Sequence, residues 1–179
     1  MTPARFPDGL ERRAAIELRA TGRRLEGYAA TFGTPAQIGS VSETIQAGAF
    51  RAALAAKGDI LALVDHDPAR LLARTSSGTL RLSEDARGLA FELDVPDTGL
   101  GRDILALAER RDLGGMSFGF RVRDEAWPAR NRRELRAVDL IEVSVVHAFP
   151  AYGATSIQAR SKGVDTIDTL ARRRFLETL

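Results

Sequence analysis

Cysteine is absent from the 179 residues, and histidine occurs only twice. Without cysteine there is no disulfide, no thiol nucleophile and no cysteine-ligated metal, a composition compatible with a reducing cytoplasm. Lysine is scarce as well. Only Lys57 and Lys162 occur, so arginine supplies almost all of the 26 basic residues. The 24 acidic residues leave a formal net charge of +2. Arginine favours two-pronged contact with carboxylates or phosphates. Nucleic-acid binding needs a focused patch, and so small a net charge gives no sign of one, so no specific nucleic-acid partner is expected. No apolar run approaches the roughly 20 residues needed to span a bilayer, so no membrane partner is expected. The opening Met1–Pro7 stretch is not followed by the apolar core of a secretory signal. Neither H-E-x-x-H nor a phosphate-cradling glycine motif occurs, so neither metal nor cofactor is expected.

What is present suits one globular core, with 44% hydrophobic residues. Residues 1–14 are rich in Arg, Pro and Ala and read as a flexible lead-in. Strands are predicted over 15–19 and 24–30, turning at Thr21-Gly22. A short helix over 47–56 ends at Gly58. A buried strand at 60–64 leads into Asp65-His66-Asp67-Pro68. Pro68 biases Asp67 away from helix and holds the histidine near a strand end. Leu71–Thr75 and Thr79–Ser83 read as a hairpin around Ser77-Gly78. Residues 89–95 alternate as a further strand. After Pro96, a helix over 101–112 is capped by Asp97 or Thr98. Gly114-Gly115 break it, and 116–123 is a strand. The polar stretch Asp124–Arg136 reads as an exposed loop or hairpin tip, its arginines solvated. Residues 137–147 form the last clear strand, followed by a short edge strand at 155–159 and a basic helix over 166–179. Many short strands with few helices predict a mainly β, barrel-like domain decorated by helices.

The candidate chemistry centres on Gly114-Gly115-Met116-Ser117-Phe118-Gly119-Phe120. Ser117 is a candidate nucleophile, His66 its base and Glu142 the acid that orients the imidazole. Alternation puts Met116, Phe118 and Phe120 on one face and Ser117, Gly119 and Arg121 on the other. Gly119 would leave room beside the hydroxyl for a substrate. In the later strand, alternation groups Glu142 and Ser144 with Val138, Leu140 and Val146, and points His147 away from Glu142. A histidine with an ordinary pKa of about 6.5 is largely neutral at pH 7 and able to take a proton. The oxyanion donor stays open between backbone amides near Gly115 and an arginine. The string matches G-x-S-x-G, yet a nucleophile elbow has a strand before the serine and a helix after it. Here the order is reversed. Plainer readings stand beside these. Ser117 packs tightly, His66 staples a surface loop, and Glu142 faces solvent.

Five stretches taken in order carry a resemblance. They are Leu25-Glu26-Gly27-Tyr28-Ala29 with Phe32; Glu43-Thr44-Ile45 through Gly48-Ala49-Phe50; and Leu63-Val64-Asp65-His66-Asp67. The glycine-framed serine segment and Leu140-Ile141-Glu142-Val143-Ser144-Val145-Val146 through Pro150-Ala151-Tyr152 complete the series. The chain resembles the prohead maturation proteases of tailed bacteriophages, with relatives in prophages and gene transfer agents, over roughly residues 12–160. The resemblance implies a closed β-barrel surrounded by helices, similar to herpesvirus assembly proteases. It implies a serine endopeptidase with Ser117 as nucleophile, His66 as base and Glu142 as third member. The implied substrate is the scaffolding region of the major capsid protein, followed by self-processing, inside the immature capsid in the bacterial cytoplasm. A protease domain over 15–160, a short basic tail over 161–179 and self-association are expected with it. A non-proteolytic capsid-assembly or scaffold-binding module is the alternative.

Overall fold

A computed structural model describes residues 9–15 and 17–147. The expected strand at 155–159 and helix at 166–179 lie outside the described residues. The chain runs β1 (Glu11–Ala15), β2 (Glu17–Thr21), β3 (Arg24–Thr31), β4 (Ala36–Ile38), β5 (Val41–Ile45) and α1 (Arg51–Ala55). It continues through β6 (Leu61–Val64), β7 (Asp67–Arg74), β8 (Leu80–Glu84), β9 (Gly88–Asp94) and α2 (Gly99–Arg110). It ends with the long pair β10 (Gly115–Ala129) and β11 (Arg132–Val146).

Two sheets form. The larger has the order β1-β10-β11-β5-β4, with β6 also on β11 and β7 outside β6. The smaller has the order β2-β3-β9-β8. Their facing sides follow the period-2 pattern of half-buried strands. Leu25, Ala29, Leu89, Phe91 and Leu93 come from one sheet, and Met116, Phe118, Phe120, Val143 and Val145 from the other. Phe118 anchors the aromatic centre, edge-on to Phe50 at 5.5 Å between ring centroids and stacked on Phe120 at 5.1 Å. Helix α2 buries Ile104 and Leu105. Its N-cap Thr98 accepts the Gly101 N–H, and it closes on Arg111 in the left-handed conformation.

The sheet forks at β11. One edge pairs with β10 along its length, while the other meets β5 at Arg132–Leu135 and β6 at Glu142–Val145, both parallel. Between these partners the Val138 N–H donates to the Ala49 carbonyl, next to the fully buried Phe50. A second irregularity lies opposite. Gly119 pairs with Glu142 and Phe120 with Leu140, leaving Ile141 as an extra residue. Such a bulge flips the side-chain alternation beyond it. Val138 and Leu140 are therefore buried on the core side rather than sharing a face with Glu142, as unbroken alternation predicts.

The expected closed barrel is not formed. The architecture is mixed α/β with two open sheets. Edges remain at β1, β4 and β7 of the larger sheet and at β2 and β8 of the smaller, and no ladder among the described residues joins them. Strands adjacent in sequence part company. β2 leaves β1 to pair with β3, and β8 leaves β7 to pair with β9. The expected 71–83 hairpin is therefore split between two sheets. The loose lead-in also ends earlier than expected, because Glu11–Ala15 pairs with β10. Of the two readings of 124–136, loop or hairpin tip, the structure shows the hairpin: the stretch is largely strand, turning at Arg130-Asn131.

Candidate active site

Strand pairing builds one polar sheet face. Ser117 stands opposite Ala14 on one side and Ser144 on the other, while Gly119 stands opposite Arg12 and Glu142. Directly paired residues project from the same side of a sheet. Arg12, Ser117, Gly119, Glu142 and Ser144 therefore share the face turned away from Phe118 and Phe120.

The Glu142 carboxylate is the hub of this face and is 4% exposed. His66 Nδ1 lies 2.6 Å from its Oε1, and the Ser144 hydroxyl donates to Oε2 at 2.5 Å. Arg12 Nε is 3.7 Å from Oε1. An ionised carboxylate only accepts, so the imidazole donates from Nδ1 and keeps the lone pair of Nε2. Hydrogen bonds of this kind satisfy a buried carboxylate in place of water. Gly119 makes the arrangement possible, since a Cβ there would clash with Glu142 Oε1. The space beside Ser117 that the sequence suggests for substrate is filled by the Glu142 carboxyl group.

His66 reaches this carboxylate through an uncommon turn. Val64 pairs with Asp67 across a two-residue link. Asp65 and His66 have φ of 51° and 63°. Positive φ at both central positions defines a type I′ hairpin turn, which favours Asn-Gly or Gly-Gly. Non-glycine residues there carry backbone strain of about 1–3 kcal/mol each, a cost that clusters at functional sites. Register alone carries the chain beyond Val145 at this point. The turn sends the imidazole back over the sheet to Glu142.

Ser117 lies on this face but is 2% exposed. Its hydroxyl donates to the Arg13 carbonyl of β1 at 2.8 Å. No hydrogen bond joins Ser117 to His66 among the described residues. The sequence-predicted trio is thus gathered on one face, with only His66 and Glu142 bonded. His147 is not part of the pair. It contacts Asp65, with Nδ1 2.6 Å from Oδ2. Burial alone would raise the Asp65 carboxyl, but hydrogen bonds and charge from His147 and a bond from Arg70 bring it below its ordinary value.

The strand that holds Ser117 is itself anchored by charge. Arg133 is 1% exposed. It donates to Glu11 at 2.6 and 2.9 Å, to Glu43 at 2.9 Å and to Glu125 at 2.6 Å. Arg13 donates to Glu43 at 2.6 and 2.8 Å and to Glu11 at 2.8 Å. Residue-by-residue reading missed this network and the roles of Ser144 and Asp65. The i, i+2 spacing of Glu142 and Ser144 is the one local signal that pointed to any of it.

A serine beside a histidine–carboxylate pair is the equipment of hydrolases that act through a serine nucleophile. The family comparison makes the class specific. Residues 10–169 match the model of the caudovirus prohead serine proteases, and the chain belongs to that family. Membership assigns serine-protease chemistry and a role in phage head maturation, in the company of capsid and scaffolding proteins. No curated protein and no solved structure matches the chain. Among the described residues, no helix is long and apolar enough to cross a membrane.

Proposed function

We propose that the chain is an endopeptidase in which Ser117 attacks, His66 moves the proton and Glu142 orients His66. The observation that carries this is the 2.6 Å contact from His66 Nδ1 to Glu142, on the sheet face that holds Ser117. In the first step the Ser117 hydroxyl turns from the Arg13 carbonyl towards His66. Its Oγ bonds to the substrate carbonyl carbon while Nε2 takes its proton. Glu142 stabilises the resulting imidazolium. The C–N bond then breaks, and His66 gives the proton to the departing amine. Water attacks the acyl-enzyme and loses a proton to His66, which returns it to Ser117 Oγ as the ester bond breaks.

The proposed substrate is the scaffolding region of the major capsid protein, and then the protease itself, within the immature shell in the bacterial cytoplasm. Confinement there raises local concentration and favours self-association. The burial of Ser117 and its bond to Arg13 favour a second reading, a non-proteolytic assembly module in which the serine is structural. Co-expression with the cognate major capsid protein separates the two. Intact mass spectrometry is expected to show a discrete capsid-protein truncation with the wild type and none with Ser117→Ala. Assembly without truncation in both samples would establish the second reading instead.

A further inference from the structure

The hairpin turn that carries His66 is fastened to the end of β11 by a second acid–histidine pair. The Asp65 N–H donates to the Val145 carbonyl at 2.9 Å. Asp65 Oδ1 accepts the His147 backbone N–H at 3.0 Å, and Oδ2 lies 2.6 Å from His147 Nδ1. Arg70, on β7, donates to the same Oδ2 at 2.9 Å. His147 and Arg70 thus converge on one side chain, whose own backbone sits at positive φ. The adjacent residue, also at positive φ, is His66.

We infer that Asp65 and His147 form a clamp that positions the His66 imidazole against Glu142. The inference rests on the assignment of His66 as the base, and it adds two positioning residues to that reaction. The geometry explains why both are needed. Both side chains of the turn, Asp65 and His66, are held by partners outside it. Glu142 lies on β11 and His147 just beyond its end, and each is bound to a different residue of the turn. Asp65 and His66 diverge, Asp65 to His147 beyond the strand end and His66 to Glu142 within it. The turn is held at both of its residues at once. Release of the Asp65 side leaves the imidazole attached at Nδ1 alone, free to swing about that bond. Misplacement by about 1 Å costs about a hundredfold in rate where the reacting atoms must be aligned.

The test uses the full chain with 15N-labelled histidine side chains. The hydrogen-bonded Nδ1 proton of His66 is followed by NMR and assigned by its loss in Glu142→Ala, which has no acceptor. Cleavage of the cognate capsid protein is measured in parallel. Asp65→Gly keeps the positive-φ backbone and removes the carboxylate. His147→Ala removes the ring donor, and His147→Asn restores a donor near the Nδ1 position. The expected result is a broadened or lost His66 signal in D65G and H147A, with kcat down about ten- to a hundredfold. KM stays near its wild-type value, the amide spectrum stays dispersed, and H147N recovers signal and rate. A sharp His66 signal with wild-type kcat in folded D65G and H147A overturns the clamp. If H147A unfolds, D65G decides alone. A wild type that shows the signal but does not cleave, with variants that lose the signal, keeps the clamp and removes the protease assignment. A wild type without the signal overturns the clamp outright.

Discussion

Gly119 has Glu142 directly across the ladder, and its missing side chain is the space the carboxyl group occupies. Its backbone lies outside the left-handed region, so alanine fits the strand conformation. The three atoms nearest the new methyl group all belong to the flexible side chain of Glu142. Gly119→Ala is therefore expected to leave the fold intact and push Glu142 off His66. On the proposed mechanism, turnover of capsid protein should fall about tenfold or more, as for a misplaced catalytic group, and the melting temperature should drop modestly because the buried carboxylate loses a hydrogen bond. Equal activity in G119A and wild type would remove the Glu142–His66 contact from the mechanism. Ser144 shows the same economy at residue scale. Its hydroxyl takes up the carboxylate oxygen that His66 leaves free.

β11 is one strand with three duties. Its first residues pair with β5 and its last with β6, and the extra residue Ile141 changes which side of the strand faces the core. Without that bulge, Leu140 and Glu142 would compete for the same face. Near its start, Arg133 joins β1, β5 and β10 through Glu11, Glu43 and Glu125. Removing one partner of a buried ionic network strands the others without water. Arg133→Ala is expected to destabilise the protein by about 3–5 kcal/mol, measured by urea denaturation at pH 7. Lysine should restore little, because one ammonium cannot reproduce a guanidinium shared among three carboxylates. A loss near zero would mean that water reaches the network freely.

Across the molecule, two open sheets enclose one aromatic core, and charge closes the region where β1 lies on β10. This has a consequence in acid. Burial alone would raise the Glu11 carboxyl, but hydrogen bonds and charge from Arg133 and Arg13 outweigh it and bring it below 4.5. A carboxyl with a lowered folded value binds its proton more readily when unfolded. Its stabilising contribution is full above the unfolded value and is lost as pH falls through the folded one. Stability should therefore decline as pH drops below about 4.5. Glu11→Gln should be less stable at pH 7 and decline less steeply in acid. Denaturation midpoints across that range test it, and parallel curves for the two proteins would exclude Glu11 as a source of the acid sensitivity.

The sequence by itself determined the local and serial features. Alternation set Ser117 and Gly119 against Phe118 and Phe120, and turn residues marked most strand ends. The ordered motifs gave the family, which the match over residues 10–169 bears out. These are legible because periodicity and turn preference act within a few residues. The tertiary structure decided which strand edges pair, and so whether a barrel closes. Backbone hydrogen bonds between distant strands settle that, and every extended segment offers the same donors and acceptors. Tertiary structure also decided which charges are buried. Arg133 reads as one more solvated arginine until Glu11, 122 residues away, is brought against it. The same holds for the turn at Asp65-His66. Its sequence marks a strand end, but the partners that make its positive-φ conformation tenable, Glu142 and His147, arrive only with β11.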